Sequence, residues 1–234
     1  MTSVAIMQPT FLPWIGYFAL MDQVDIFVFL DSVQFDKRSW QQRNRIRTKQ
    51  GELYLTVPVY SKGKKDQKIL DVEIDTTQKF KKKHLSSIYS NYSKAEFFKE
   101  YWLELQEIYE KKTKMLIELN LNLIHWITEK IGIETEFIRS SEIPNKGEKA
   151  DLLFNICKVL NAKKYVSPLG SKNYLVEHNP FENSPVELNY IYYDQPQYQQ
   201  VFTGFVPYLS ALDLLMNEGN SSLDIMRSGY KQNS

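Results

Sequence analysis

Three stretches of this chain set polar and aromatic side chains where an apolar run ends, and each could do chemistry there. The first is Gln8-Pro9-Thr10-Phe11-Leu12-Pro13-Trp14-Ile15-Gly16-Tyr17, which leaves the apolar Val4-Ala5-Ile6-Met7 and enters a helical-looking run through Phe18, Leu20 and Val24. Its two prolines fix φ and remove backbone donors, while Gly16 permits a close approach that a side chain would block. The stretch is longer than the usual connection of about 2 to 6 residues. We read it as the floor of a ligand site; the alternative is a turn plugged by Phe11, Trp14 and Tyr17.

The second stretch begins with Asp31, after the apolar residues 26–30, a position that suits a metal, ribose or proton-transfer contact. Lys37, Arg38, Arg43, Arg45 and Arg47 follow, interleaved with Trp40. Guanidinium groups pair bidentately with phosphate, and the ring can stack on a sugar or base; the competing reading is a solvated basic loop. The third stretch is Ser167-Pro168-Leu169-Gly170-Ser171-Lys172-Asn173-Tyr174-Leu175. Its glycine, hydroxyls and ammonium can cradle a phosphate, although the spacing is not that of a Walker loop.

His84 is the candidate general base, since an imidazole needs the least tuning to work near neutral pH. It shares a helical face with Ile88 and Tyr92, and a structural role is the alternative. His125 between Ile124 and Trp126 reads as a core residue, and His178 as a surface one. Cys157 is the only cysteine, which excludes an intrachain disulfide and a cysteine-based zinc site. The histidines lack metal-ligand spacing, so no metal is expected beyond a Mg²⁺ carried in by a phosphate substrate.

The elements that must position these groups alternate along the chain. Residues 4–7 and 26–30 read as strands buried on both faces, with a helix between them. Residues 134–141 and 164–167 extend the sheet, residues 150–160 form a helix, and residues 186–193 are a late strand. That alternation predicts a parallel α/β sheet with right-handed crossovers, whose ligands sit outside the carboxyl ends of the strands. Residues 53–59 and 69–74 alternate as a small antiparallel hairpin, and residues 77–131 carry helical periodicity as an insertion ending at the C-cap Gly132. Ser210 caps a helix over residues 211–216, and the polar tail past Gly219 is expected to fray. The whole of residues 1–234 reads as one domain.

The formal charge of +1, from 29 basic and 28 acidic residues, supplies no global field for nucleic acid. No leader pattern and no run near the roughly 20 apolar residues of a membrane span is visible. A cytoplasmic protein is the expectation.

The assembled residues resemble the WbqC-like family. The resemblance is carried by Gln8-Pro9 with Phe11-Leu12-Pro13-Trp14-Ile15-Gly16-Tyr17, and by Leu30-Asp31 with Gln34-Phe35 and Trp40-Gln41-Gln42-Arg43-Asn44-Arg45-Ile46. It continues through Leu55-Thr56-Val57-Pro58-Val59, His84 with Tyr92, and Phe205-Val206-Pro207-Tyr208-Leu209-Ser210 with Asp213-Leu214-Leu215. It implies a bacterial cytoplasmic protein of O-antigen, lipopolysaccharide or capsule biosynthesis. The start is also similar to the nucleotidylyl-transferase layout of the HUP superfamily, and to pantoate–amine ligases in particular. Trp14-Ile15-Gly16-Tyr17 stands where those proteins carry H-x-G-H, so both histidines are absent.

The expected function is transfer of an acyl or aminoacyl group to the amine of a nucleotide-linked deoxyamino sugar. Asp31 or His84 would take the amine proton. Gln8, Thr10, Trp14, Gly16, Tyr17, Gln34, Trp40, Arg43, Asn44, Arg45, Tyr92, Ser167, Lys172 and Tyr208 would form the substrate site. No covalently bound cofactor is expected; ATP or an activated acyl donor fits this reading, and so does a homo-oligomer. The alternatives are a non-catalytic module binding a nucleotide sugar or a glycosyltransferase, and a nucleotidylyltransferase.

Overall fold

Residues 2–172 and 178–231 are described by the computed structural model. Val4-Ala5-Ile6-Met7 lies in β1 (Ser3–Met7), the central strand of a five-stranded parallel sheet in the order β5-β2-β1-β6-β7. β2 (Ile26–Phe29) pairs with β1 in the register Val4–Ile26 to Met7–Phe29, and β5 (Glu136–Arg139) pairs with β2 beyond it. β6 (Lys164–Pro168) lies on the other side of β1 and carries β7 (Glu187–Ile191) at its outer edge. The chain thus winds outward one way and then the other, which puts a topological switch point between β1 and β6.

Alternation divides β1 and β2 between two cores. Ala5, Phe27 and Phe29 belong to the larger one, while Val4, Ile6 and Val28 belong to the smaller. The smaller core is closed by Leu152, Leu153, Ile156 and Cys157 of α5 (Lys149–Val159), together with Tyr165 and Phe181. Cys157 is buried there, and burial pushes its thiol up to about 12.

The larger core packs against α1 (Ile15–Asp22) and three helices, α2 (Phe80–Tyr92), α3 (Phe98–Glu110) and α4 (Leu116–Ile131), where residues 77–131 are read as helical. α4 ends at Gly132, whose φ of 86° lets its N–H reach the carbonyls of Thr128 and Glu129. Ser210 caps α6 (Ala211–Glu218) by accepting from the Leu212 N–H. No helix among the described residues is long and apolar enough to cross a membrane.

Two expectations are corrected. The hairpin forms, but its strands are β3 (Arg43–Thr48) and β4 (Gly51–Thr56), paired from Arg43–Thr56 to Thr48–Gly51. Residues 69–71 form a 3₁₀ turn instead, and the expected pairing survives only as a single bridge between Val59 and Ile74. β3 escapes a hydrophobic reading because its buried side chains include Asn44 and Arg47 beside Ile46, so the alternation is polar on both faces. The tail past Gly219 does not fray either. It forms a 3₁₀ turn and α7 (Ser222–Ser228), with Met226 fully buried.

α7 is fastened to α1 by Arg227, which grips Asp22 with Nε and Nη2 at 2.9 and 2.7 Å. The Tyr230 hydroxyl lies 3.1 Å from the Ala19 carbonyl and 2.7 Å from Asp22 Oδ2. Replacing Met226 by alanine should therefore cost about 2–5 kcal/mol in a urea titration, as for other buried methionines; a frayed tail would give almost no change.

Candidate strand-end binding site

The loop between β1 and α1 has no ladder partner, so its buried backbone groups must be satisfied one at a time. The Tyr17 hydroxyl donates to the Gln8 carbonyl at 3.1 Å, and Asn120 Nδ2 lies 3.4 Å from the Pro9 carbonyl and 2.8 Å from that of Gln41. Asn44 Nδ2 donates to the carbonyls of Phe11 and Leu12 at 3.2 and 2.7 Å, while its Oδ1 accepts from the Arg45 N–H. The Phe11 N–H reaches the Trp40 carbonyl and the Ala211 N–H reaches that of Pro13, at 2.9 and 2.7 Å. Leu12 is held at a φ of 45°. Gly16 has a packing role: a Cβ there would stand 2.2 Å from the Trp14 ring, which lies across α1.

A cleft of about 1080 Å³ opens at the carboxyl ends of β1, β2 and β6. Gln8 and Thr10 line it after β1, Ser32 and Gln34 after β2, Ser167 near the end of β6 and Ser171 after it. Trp40 and Gln41 line it from one loop, and Asn145, Gly147, Glu148 and Lys149 from another. Gln41 Nε2 donates to Gln8 Oε1 at 2.7 Å, and the hydroxyls of Ser167 and Ser171 are 2.6 Å apart. Its charged lining residues are Asp36, Lys68, Glu148 and Lys149.

A second cavity of about 450 Å³ adjoins the cleft through Met7, Thr10 and Trp40, which line both. Pro13, Trp14, Tyr17, Asn44, Arg45 and Tyr208 complete this slot. Arg45 lies 5.4 Å above the Trp40 ring, pairs with Glu52 at 2.7 Å, and donates to the Tyr208 carbonyl at 3.0 Å.

Neither expected catalytic residue faces these cavities. Asp31 is fully buried and joins β2 to β5: it accepts from Arg139 Nε at 2.8 Å, the Ser140 hydroxyl at 3.0 Å, and the N–H and hydroxyl of Ser141 at 2.9 and 2.8 Å. His84 lies in the helical layer, with Nε2 3.1 Å from the Thr56 carbonyl and Nδ1 3.3 Å from the Tyr109 hydroxyl. Burial lowers its pKa to about 4 against the weaker opposing pull of the Thr56 carbonyl.

Tyr92 is likewise structural, donating to Asp213 at 2.7 Å and accepting from the Arg47 N–H at 2.8 Å. Asp213 also accepts from Tyr198 and Gln200, both at 2.8 Å, and burial raises its pKa. Arg43 lies over the Tyr54 ring at 5.0 Å, away from both cavities. Lys172 is exposed and outside the lining of the cleft, and residues 173–175 of that loop lie outside the described residues. His178 is exposed and 2.9 Å from Asp151. Among the described residues no three His, Cys, Asp or Glu side chains converge as a metal site.

Sequence reasoning overlooked Asn120, Gln41, Asn145 and the Arg139-Ser140-Ser141 run, whereas Lys68 ends the basic turn of residues 61–68 that it read as either an anion contact or a solvated loop. Arg139 had a signal available: it ends a strand, as Asp31 does, and opposite charges ending two sheet strands can meet if the strands are neighbours. Asn120 had one too, as an amide within an apolar helix that must find a buried partner.

These features define the class: a doubly wound parallel α/β domain with a helical layer and a polar cleft at its switch point. The model of the WbqC-like protein family matches residues 8–225, and the chain belongs to that family. It is 37% identical over 230 residues to Uncharacterized protein Rv1507c of Mycobacterium tuberculosis, covering 97% of this chain and 98% of that protein. No solved structure matches the chain.

Asn44→Ala should strand the carbonyls of Phe11 and Leu12 and cost about 2–4 kcal/mol, read as a lower urea midpoint at unchanged m-value. The imidazole of His84, neutral in the fold and with an ordinary pKa of 6.5 when unfolded, gives a second expectation. Its contribution is intact above pH 6.5 and is lost as pH falls toward 4, because only the unfolded chain gains the proton there. Between pH 7.5 and 4.5 the native chain should lose about 2–3 kcal/mol more than His84→Gln; parallel pH profiles of the two proteins would contradict the burial argument.

Proposed function

We propose that this chain is a cytoplasmic bacterial enzyme of O-antigen or capsule assembly that holds a nucleotide-linked deoxyamino sugar in its strand-end cleft and acylates the sugar's amine. The observation that carries the reading is the cleft itself: hydroxyls and amides from the ends of three strands converge at the switch point, where open α/β sheets bind nucleotides. Lys68 and Lys149 supply positive charge for the diphosphate, and Gln8, Ser32, Gln34, Ser167 and Ser171 can pair with sugar and ribose hydroxyls.

The proton role expected of Asp31 and His84 passes in this proposal to Asp36, an exposed carboxylate on the cleft wall. The amine nitrogen attacks the carbonyl carbon of an activated acyl donor, a thioester or acyl-phosphate anhydride. An N–C bond forms, the bond to the leaving group breaks with its electron pair, and the amine proton passes to the Asp36 carboxylate. Nucleotidylyl transfer is disfavoured, since Trp14 and Tyr17 replace the two histidines that would stabilise a transferring phosphate.

One observation favours a second reading. Both carboxylate and imidazole of the expected catalytic pair are committed to structural hydrogen bonds, which suits a binding module for the same nucleotide sugar. A thermal-shift screen of nucleotide-linked amino sugars followed by mass spectrometry with acyl-coenzyme A separates the readings. The enzyme raises its melting temperature with ligand and yields a product heavier by one acyl group, with Asp36→Asn lowering kcat by about 10²–10⁴-fold. A shift without product identifies the module, and no shift with any nucleotide sugar overturns both.

A further inference from the structure

We infer that the aromatic slot beside the cleft seats the apolar chain of the acyl donor, and that it selects simple acyl groups over aminoacyl groups and nucleobases. The inference rests on the acyl-transfer reading for its donor, but the selectivity follows from the slot's own chemistry.

Met7, Pro13, Trp14, Trp40 and Tyr208 present apolar and aromatic surface to a space of about 450 Å³. Tyr208 is aimed at it by its backbone. Its φ is 58°, a left-handed conformation uncommon for an aromatic residue, and the ring stands 5.4 Å from that of Trp14. The conformation is held from both sides: the Tyr208 N–H donates to Gln195 Oε1 at 2.7 Å, and the carbonyl accepts from Arg45 Nη2 at 3.0 Å. Outliers of this kind cluster at ligand clamps.

Charge decides against an aminoacyl group. Arg45 is the charged residue lining the slot, and no carboxylate is among the lining residues. An α-ammonium placed there would lose its water beside a cation and gain no counter-ion. Hydrogen bonding decides against a base. The groups that read base edges bidentately are amides and guanidinium forks: Asn44 Nδ2 is given to the carbonyls of Phe11 and Leu12, and Arg45 gives Nη1 to Glu52 and Nη2 to Tyr208, which leaves Nε as its one unpartnered donor atom. An apolar site rejects an added neutral polar group by only about a hundredfold, whereas an ammonium buried without a counter-ion costs far more.

Position decides what the chain is attached to. Met7, Thr10 and Trp40 line both cavities, so a donor anchored in the slot presents its carbonyl to the cleft, where the amine is held. Trp14 and Tyr17 thereby hold neither sugar nor base, the role given to them by stacking arguments alone.

The test titrates the full chain with acetate, butyrate, hexanoate and octanoate, and with norleucine, adenosine and uridine. Binding is read by tryptophan fluorescence and saturation-transfer NMR. Affinity should rise about fourfold per added methylene until the slot is filled, with norleucine at least tenfold weaker than hexanoate, which has the same carbon chain without the α-ammonium. Tyr208→Gly, which removes the ring and suits the left-handed φ, should flatten the chain-length dependence. Affinity independent of chain length, norleucine binding as well as hexanoate, a nucleoside displacing octanoate, or no carboxylate bound at all would each overturn the inference. The titration is read without a nucleotide sugar, so its failure is distinct from failure of the cleft to bind one.

Discussion

The constraint on which the site depends is the satisfaction of buried backbone in the loop from Gln8 to Trp14. A segment that follows a central strand and carries two prolines cannot close its own hydrogen bonds. Two asparagine amides, Asn44 from a strand of the hairpin and Asn120 from a helix, satisfy three of its carbonyls, those of Phe11, Leu12 and Pro9. The hairpin and the helical layer are therefore fixed relative to the sheet by polar contacts made at the loop, in addition to the apolar packing beneath it. Cleft and slot share a wall because that loop runs between them.

Asp31 shows how a strand end can be chemical in type and structural in use. A fully desolvated carboxylate survives only when its oxygens are supplied with donors. Here Arg139, Ser140 and Ser141 supply them from the neighbouring strand end. The Ser140 hydroxyl also accepts from the N–H groups of Asp31 and Ser32, at 3.1 and 3.2 Å. The pair keeps β2 and β5 aligned where they leave the sheet. Removing one partner would leave a buried charge without compensation, which is why such pairs act as fixed points.

Much of this was legible in the sequence, for reasons that differ by element. Strands buried on both faces announce themselves as unbroken apolar runs, so β1 and β2 were readable, and the rule that ligands gather at strand ends located Gln8, Thr10, Gln34, Trp40 and Ser167 at the cleft. The hairpin partner was not legible, because the buried face of β3 carries Asn44 and Arg47 and hides its period. Catalytic roles were the least legible. Whether Asp31 faces solvent or Arg139, 108 residues further on, is decided by sheet order and not by residue type. His84 illustrates the same point, since a helical stripe shared with Ile88 and Tyr92 states that one face is buried without saying what it meets.

The segment from Tyr208 into α6 has a consequence for the order in which the slot is built. The Ser210 N–H bonds to the Arg45 carbonyl and the Ala211 N–H to that of Pro13, at 2.9 and 2.7 Å, while Tyr208 roofs a slot whose floor is Met7 and Trp14. Tyr208 is made 163 residues after the Arg45 that holds its carbonyl. A nascent chain with its sheet begun and its helical layer formed still has an open slot, and residues through Ala211 must leave the ribosome before the Pro13 carbonyl finds its donor. The candidate slot is thus completed late in folding: a product that stops short of Tyr208 presents a half-built cavity.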